Sequence, residues 1–323
     1  MSKKYRNLFP QIVDRRSLWE AYRNASNGKK HSFGYLIFRQ YEAANIENII
    51  EQLNSGIYTP GEHNVFYVYE PKERKISALP FLDRIVQHSL YKAINPIFEI
   101  TFLPSSFACR KNKGTHRGVK YVQSLIRKMP DDAWFLKVDF KSYFHNVDRE
   151  ILWKEIDKKI KCRKTLKLLE KFHPREGKGL PIGNLTSQLL ANVYGHILDR
   201  YLQHELKVKA WARYMDDTII FGESQEELEE VHKKLTEFAS TKMRLTWSKW
   251  SIRPVTFGVN FLGYRIFKNY KLIRKDSVRR AKRKIHRYKK FGNTEKLEKF
   301  LASWRGHIQW ADSHNLKKKL DLL

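Results

Sequence analysis

The sequence predicts an α+β fold in which helices pack against an antiparallel sheet. Three observations favour it: pairs of short aromatic and β-branched runs are joined by polar turns, one apolar run ends in an aspartate, and segments of helical periodicity separate these strand signals. With 323 residues, of which 41% are hydrophobic, the chain can bury a sizeable core and form two or three subdomains.

The first part of the chain reads as helices on either side of one hairpin. Apolar residues recur at helical spacing through Leu36–Leu53, which predicts a helix there. Val65–Tyr69 and Ile76–Leu79 read as strands around a polar turn at Glu70–Lys75. A helix at Phe81–Ile94 is expected to end at the Asn-Pro pair that follows it.

The later elements follow from the same signals. Trp134–Asp139 reads as a buried strand that ends in a carboxylate, and we expect Asn184 and Ser224 to cap the helices that follow them. The other expected elements are helices at Val119–Lys128 and Leu185–Leu202, strands at Trp211–Tyr214 and Thr218–Phe221, a helix at Gln225–Ser240, a hairpin ending in Val259–Phe267 and a helical tail from Lys268 to Leu323.

Two adjacent carboxylates occupy the connection between the strands at Trp211–Tyr214 and Thr218–Phe221. Asp216 and Asp217 would repel each other there and raise each other's pKa, and a bound cation would remove the repulsion. Hard oxygen ligands at a turn suit Mg²⁺, which accepts one or two carboxylates and keeps positions for water and phosphate. The alternative interpretation is a solvated Asp-Asp turn.

Asp139 supplies a third carboxylate, at the end of a separate strand. If the strands are neighbours, the acids converge, and two Mg²⁺ ions roughly 3.5–4 Å apart can bridge an attacking 3′-hydroxyl and a leaving pyrophosphate. Phosphoryl transfer needs positioning and charge neutralisation more than covalent help. The pattern therefore favours nucleotidyl transfer. A two-metal nuclease is the rival within this chemistry, and a helix cap or an ion pair is the non-catalytic interpretation of Asp139.

Charge is the unusual feature of the composition. The chain has 63 Lys and Arg against 34 Asp and Glu, a net charge of +29, which predicts a polyanionic partner such as nucleic acid. Residues 268–323 alone carry a net +13, which favours contact with a phosphate backbone over a merely solubilising role. A membrane surface is the rival partner, but the basic residues are spread over the whole chain, and no apolar run approaches the roughly 18 residues of a spanning segment.

The N-terminus and the cysteines predict a cytoplasmic protein. The opening residues MSKKYRNLFPQIVDRR contain no apolar h-region, so we expect no secretory signal. Cys109 and Cys162 lack metal-ligand spacing and are expected to be free thiols in a reducing compartment.

Several segments together resemble the motifs of reverse transcriptases. Tyr214-Met215-Asp216-Asp217 is similar to their YxDD signature, and VDFKSYFHNVD around Asp139 resembles the motif of their first metal ligand. The other matching segments, in the expected order between about residues 70 and 267, are ERKISALPFLDRIVQHSLYKAI, GLPIGNLTSQLLANVYGHILD, LTWSKWSIRPV and NFLGYRIF. The resemblance implies a right-hand polymerase, with fingers and palm at residues 1–267 and a basic helical thumb at 268–323.

Details of these motifs resemble the reverse transcriptases of diversity-generating retroelements. Pro181-Ile182-Gly183 stands where most reverse transcriptases carry Pro-Gln-Gly, and the following NLTSQ and LLANVY resemble that family. The compact length of the chain also resembles that family. Ser303–Leu316 is similar to the thumb of that family and of group II intron enzymes.

The resemblance implies a metal site at the three acids. Asp139 and Asp216 would bind two Mg²⁺ ions, for which Mn²⁺ can substitute. Asp217 would assist, and the carbonyl of Phe140 would add a ligand.

The resemblance also implies four nucleotide-binding side chains. Each of them has an alternative interpretation as a residue that does not contact the nucleotide. Arg74 would bind the incoming triphosphate, or else is a solvated charge. Phe144 would exclude a 2′-hydroxyl and so select dNTPs, or else is a core aromatic. Ile182 would weaken the check on the new base pair because it supplies no hydrogen bond, or else is simply buried. Lys249 would protonate the pyrophosphate, or else is a surface lysine.

The implied function is an RNA-directed DNA polymerase that copies a template-repeat RNA into cDNA with errors at template adenines. Its implied partners are a structured RNA template, a primer or cDNA, dNTPs and a small basic oligomeric accessory protein, encoded in a bacterium, an archaeon or a phage. The alternatives are a reverse transcriptase of a group II intron-like, retron or defence system, and a non-enzymatic RNA-binding scaffold with a polymerase-like fold.

Overall fold

The chain folds into fourteen α-helices, one short π-helix (Tyr201–Glu205), one 3-10 helix (Val255–Phe257) and nine strands in the part that its computed structural model describes, residues 3–69 and 73–320. The helices are α1 (Phe9–Val13), α2 (Arg15–Ser26), α3 (Phe33–Gln40), α4 (Glu42–Ser55), α5 (Phe81–Glu99), α6 (Thr115–Lys128), α7 (Tyr143–Asn146), α8 (Arg149–Lys159), α9 (Arg163–Phe172), α10 (Leu185–Arg200), α11 (Gln225–Lys242), α12 (Lys275–Lys290), α13 (Thr294–Ile308) and α14 (His314–Lys319). The strands are β1 (Asn64–Val68), β2 (Arg74–Ala78), β3 (Trp134–Phe140), β4 (Trp211–Tyr214), β5 (Asp217–Gly222), β6 (Trp247–Pro254), β7 (Val259–Phe261), β8 (Tyr264–Ile266) and β9 (Lys271–Ile273).

The sheets confirm the predicted α+β class. β1 and β2 form an antiparallel hairpin, β4-β5-β3-β6 form a four-stranded sheet, and β7-β8-β9 form a three-stranded antiparallel sheet. The chain passes back and forth between two compact units, which comprise residues 1–103, 140–201 and 237–246, and residues 104–139, 202–236 and 247–323. The predicted domain boundary between residues 267 and 268 remains a prediction.

The first unit is built around α5. Helices α1, α2, α3 and α10 pack against it, and its Ile85, Val86 and Leu90 are fully buried. The helix continues to Glu99 through Pro96, so the predicted end at Ile94 was wrong. Proline in a helix costs about 3 kcal/mol. Burial of Ile97 and Phe98, each 3% exposed, contributes about 1.5–3 kcal/mol per side chain and offsets that cost.

The second unit holds the four-stranded sheet, in which β3 and β5 lie in the middle. Its core contains Phe135 of β3 and Ile219 of β5, and helix α6 adds Val122 and Ile126. Helix α13 contributes Trp304 and Ile308 to the same core, whereas the strongly basic α12 buries only Ala281. Most of the charge of α12 therefore faces solvent.

Three other predictions about local structure need correction. The helix expected at Leu36–Leu53 is two helices that meet at Tyr41, where the Asn45 side chain donates a hydrogen bond to the Phe38 carbonyl at 2.9 Å. Asn184 stands at the start of α10 but makes no capping bond there; Gln87 accepts from the Leu185 N–H instead. Part of the tail is strand, because β9 pairs with β8.

Other local expectations hold. Ser224 caps α11 by accepting from the Glu227 N–H at 3.1 Å. Both cysteines are free thiols.

Of the polar turn predicted at Glu70–Lys75, residues 70–72 lie outside the described part of the chain. No helix in the described ranges combines the length and apolar character that crossing a bilayer requires.

Candidate active site

The pairing of β3 with β5 brings together two of the predicted acids. The antiparallel register places Asp139 directly opposite Asp217, at the end of a ladder that begins with Trp134 opposite Gly222. Side chains directly opposite each other point to the same face of a sheet, with Cβ atoms roughly 4.5–5.5 Å apart. The second unit thus contains a pair of carboxylates supplied by strands that lie far apart in sequence.

Asp216 occupies the turn beside this pair. β4 pairs with β5 through Tyr214 opposite Asp217, which leaves Met215 and Asp216 as a two-residue hairpin connection. Met215 has a φ of 55°, the left-handed conformation that such tight hairpin turns require at their first central residue. The sequence-predicted hairpin and its acidic tip are therefore confirmed.

A lysine neutralises one of the paired acids. Lys137 precedes Asp139 by two residues on β3, so both point to the same face. Its Nζ lies 2.9 Å from Asp217 Oδ2 and donates to the Asn260 carbonyl at 2.8 Å. Burial raises the pKa of Asp217, the Lys137 ammonium opposes that shift, and the charge of Asp139 adds to it.

A serine orients the other acid. Ser248, on the neighbouring strand β6, donates its hydroxyl to Asp139 Oδ1 at 2.7 Å. The adjacent Lys249 is exposed on the same strand. This contact favours one orientation of the Asp139 carboxylate.

The acids fit a hard divalent cation. Asp217 Oδ1 is buried and has no hydrogen-bond partner among the described residues, and a buried oxygen left in this way is costly unless another group satisfies it. Within residues 3–69 and 73–320, no cluster of three or more His, Cys, Asp or Glu side chains is already arranged around a metal position. Mg²⁺ takes one or two carboxylates and completes its shell with water and substrate phosphates, and the facing pair Asp139 and Asp217 can supply that number.

Three of the predicted nucleotide-binding residues lie in the first unit, on segments joined by backbone hydrogen bonds. Ile182 is half-buried, and its carbonyl accepts from Ser77 N–H of β2 at 2.7 Å; β2 begins at the exposed Arg74. Two residues earlier, the Leu180 N–H donates to the Phe144 carbonyl at 2.7 Å. The loop that carries Ile182 thus connects to the segments of both other residues.

Gly183 follows Ile182 in this loop and allows the close approach to β2. Its φ is 121°, and a Cβ at this position would lie 2.9 Å from the Ser77 carbonyl oxygen. Only glycine fits such a contact without displacing backbone.

Comparison with protein families shows to which family a chain with these paired acids belongs. The family described as "Reverse transcriptase (RNA-dependent DNA polymerase)" matches residues 69–266, more than half of the chain. This chain belongs to the reverse transcriptase family. The match includes the motif around Asp139, the YxDD segment and all but the last residue of NFLGYRIF, whereas Ser303–Leu316 lies outside it; it is consistent with a right-hand polymerase.

Relatives of this chain include a protein named for a group II intron. The group II intron-encoded protein LtrA of Lactococcus lactis subsp. cremoris is 29% identical over 177 residues, which cover 51% of this chain and 29% of LtrA. Protein YkfC of Escherichia coli strain K12 is 24% identical over 276 residues, covering 70% of this chain and 72% of YkfC. The match thus spans under a third of the length of LtrA.

Among solved structures, apo telomerase from Candida tropicalis gives a TM-score of 0.49 at 10% sequence identity, covering 75% of this chain and 54% of that one. Telomerase from Candida albicans, solved with a fragment of telomeric RNA, gives a TM-score of 0.48 at 12% identity, covering 67% and 46%.

Sequence reasoning missed two side chains of this reverse transcriptase that contact the paired acids. Lys137 carried a usable signal, because strand alternation places it on the face of Asp139. Ser248 carried none, since its contact depends on how β6 pairs with β3 across a separation of more than one hundred residues.

Proposed function

We propose that this reverse transcriptase is an RNA-directed DNA polymerase of a diversity-generating retroelement, which copies a template-repeat RNA into cDNA with errors at template adenines. The observation that supports a polymerase is the position of Asp139 opposite Asp217, with Asp216 in the adjoining turn. Paired acids in a chain of net charge +29 suit a reaction that forms phosphodiester bonds on a nucleic acid.

The side chains around the acids prepare them for this reaction. Asp139 and Asp216 would hold two Mg²⁺ ions, with help from Asp217 and the Phe140 carbonyl. When bound, the ions would polarise the 3′-hydroxyl and neutralise charge on the triphosphate. Ser248 holds Asp139 in one orientation.

Lys137 favours the charged form of Asp217 while substrate is absent, because its ammonium opposes the rise in pKa that burial imposes on this carboxyl. Lys249 would then supply the proton that the departing pyrophosphate needs.

A double alanine variant tests the acid site. Asp216→Ala with Asp217→Ala should abolish primer extension and leave RNA binding within about two-fold, because the acids serve the chemistry and the basic surface serves affinity. The matched control is Asp131→Ala with Asp132→Ala, an adjacent and exposed aspartate pair in the same unit. Primer extension by the first variant at the rate of the control would show that the site is misassigned.

Ile182 supports the retroelement part of the proposal. Its backbone is fixed to β2 through the Ser77 N–H, so a change of side chain alters what faces the nucleotide without moving the loop. Ile182→Gln restores an amide that can hydrogen-bond, and it should lower misincorporation opposite template adenine. Ile182→Leu, which keeps an apolar side chain of similar size, serves as the control. Identical error spectra in sequenced cDNA from the two variants would contradict this role.

The alternative within the same chemistry is a reverse transcriptase of a group II intron-like system, the class for which the relative LtrA is named. The retroelement proposal also calls for a small basic oligomeric accessory protein and a structured RNA. Sequencing of cDNA made from a defined RNA, with and without that partner, separates the two. Errors confined to adenines support the retroelement, and uniform fidelity supports the intron-like enzyme.

A further inference from the structure

Arg213 is the bulkiest fully buried side chain of the described residues, and it lies immediately before the acidic hairpin tip. It stands on β4 and precedes Tyr214-Met215-Asp216-Asp217. A guanidinium always carries its charge, so complete burial is costly unless its donors are satisfied. What Arg213 contacts therefore indicates why this position holds an arginine.

The guanidinium joins the turn to a separate segment of the second unit. One terminal nitrogen, Nη1, donates to the Met215 carbonyl at 3.1 Å, and the other, Nη2, donates to the Ser106 hydroxyl at 3.1 Å. Ser106 is itself fully buried. The planar fork of arginine can reach two acceptors at once in a fixed geometry, which the single ammonium of lysine cannot do.

The segment that anchors the guanidinium is held to β4 by its backbone. The Arg213 N–H donates to the Ser105 carbonyl at 2.9 Å, and the Phe107 N–H donates to the Arg213 carbonyl at 3.0 Å. Ser106 is thereby paired with Arg213 as a parallel bridge. The acceptor for Nη2 is thus fixed by main-chain bonds on both sides.

The turn needs such an anchor because of its conformation. Met215 is not glycine, yet its φ is 55°, a region that side chains with a Cβ rarely adopt. Its carbonyl belongs to the peptide that leads directly into Asp216. A donor on that oxygen therefore sets the plane of this peptide and, through it, the direction of the Asp216 side chain.

We propose that Arg213 is a positioning residue, whose buried fork between Ser106 and the Met215 carbonyl holds the hairpin turn in the conformation that aims Asp216. The inference rests on the proposed function only in that it assigns Asp216 a catalytic task. The anchoring of the turn is a property of the fold and can be measured without any activity.

Arg213→Lys tests the proposal by keeping the charge and removing the fork. Hydrogen–deuterium exchange read by mass spectrometry should show faster exchange of the amides at residues 215–217, with β3 and the rest of β5 unchanged. For primer extension, kcat should fall about ten-fold to a hundred-fold, as expected for a displaced catalytic group, while KM for dNTP stays within about two-fold. Arg127→Lys is the matched control, because Arg127 also donates to a backbone carbonyl, that of Lys268, at 3.0 Å.

The outcomes separate the two proposals. Exchange at the turn equal to that of the Arg127→Lys control overturns the positioning role, whether or not the protein extends primers. Faster exchange at the turn in a protein whose wild type extends no primer supports the anchoring and contradicts the proposed function. If Arg213→Lys fails to fold, Ser106→Ala removes one of the two acceptors and should show the same local change at smaller amplitude; unaltered exchange in that variant also overturns the role.

Discussion

At the scale of single residues, the paired acids depend on a cation that the protein itself supplies. Lys137 contacts Asp217 and the Asn260 carbonyl, and both contacts are part-buried, where Coulomb interactions are stronger than in water. A protein cation at this point compensates the carboxylate charge before substrate arrives. It also competes with any divalent ion for the same oxygen.

Removing that cation should change how tightly divalent ions bind. Lys137→Met retains most of the aliphatic stem and ends the competition for Asp217 Oδ2, so Mn²⁺ should bind several-fold more tightly in the absence of RNA. Titration followed by the electron paramagnetic resonance of free Mn²⁺ measures this. Lys268→Met, which breaks the exposed pair of Lys268 with Asp131 in the same unit, is the control. Equal affinities in the two variants would contradict the competition.

The acids could be predicted from the sequence, but their supporting contacts could not. Asp139, Asp216 and Asp217 stand at the ends of recognisable strands, so local patterns reveal them. Ser248 and Arg213 act through contacts with residues more than one hundred positions away, and no local pattern encodes such contacts.

At the scale of elements, a buried histidine joins α9 to α10. His173 follows α9, its Nε2 lies 2.8 Å from the Thr186 hydroxyl near the start of α10, and its carbonyl accepts from the Trp153 indole of α8 at 3.0 Å. Burial, with smaller contributions from Arg149 and His63, lowers the pKa of His173 to about 3. The imidazole is therefore neutral in the folded protein at any pH near neutrality.

This histidine makes the fold sensitive to acid. Below its ordinary pKa near 6.5, His173 binds a proton in the unfolded chain but not in the folded one, so stability falls as pH falls. Between pH 7 and pH 5 the loss should be about 2 kcal/mol of unfolding free energy. Urea denaturation of wild type and His173→Gln at both pH values measures it, because the variant should lose less.

The control for this comparison is His31→Gln, which removes an exposed histidine. It should show the same loss of stability on acidification as the wild type. A His173→Gln variant whose acid sensitivity matches that of His31→Gln would show that His173 is not the titrating group.

Helix starts and strand runs were predictable, whereas several element boundaries were not. The extension of α5 through Pro96 depends on the burial of Ile97 and Phe98, and the break between α3 and α4 depends on one Asn45 side-chain bond. In each case a tertiary contact outweighs the local propensity.

At the scale of the whole molecule, charge is distributed unevenly between helices. α12 carries nine Lys and Arg residues and one acid over Lys275–Lys290, whereas the first turn of α11 is acidic. The net charge of +29 could be read from composition, and it predicts binding to a polyanion. Composition could not show that each of the two units is built from three separate segments of the chain, because that depends on strand pairings between distant segments.

Two equal reductions of charge test where RNA binds. Lys282→Gln with Arg283→Gln, on the exposed side of α12, should weaken RNA binding and reduce the slope of log affinity against log salt by roughly 1.4, the value for two phosphate contacts with a single strand. Lys233→Gln with Lys234→Gln on α11 removes the same charge and should leave the slope unchanged. Equal slopes for the two variants would assign the affinity to net charge alone.

The claim on which the function depends is that Asp139, Asp216 and Asp217 together hold divalent ions. Replacement of Mg²⁺ by Fe²⁺ in the presence of ascorbate and peroxide produces hydroxyl radicals at the bound ion, and these cut the nearby polypeptide. We predict cuts beside residue 139 and beside residues 216–217, suppressed by excess Mg²⁺ and absent from the Asp216→Ala, Asp217→Ala variant. Cuts confined to other parts of the chain, or cuts at these positions that excess Mg²⁺ leaves unchanged, would contradict a metal-dependent polymerase site here.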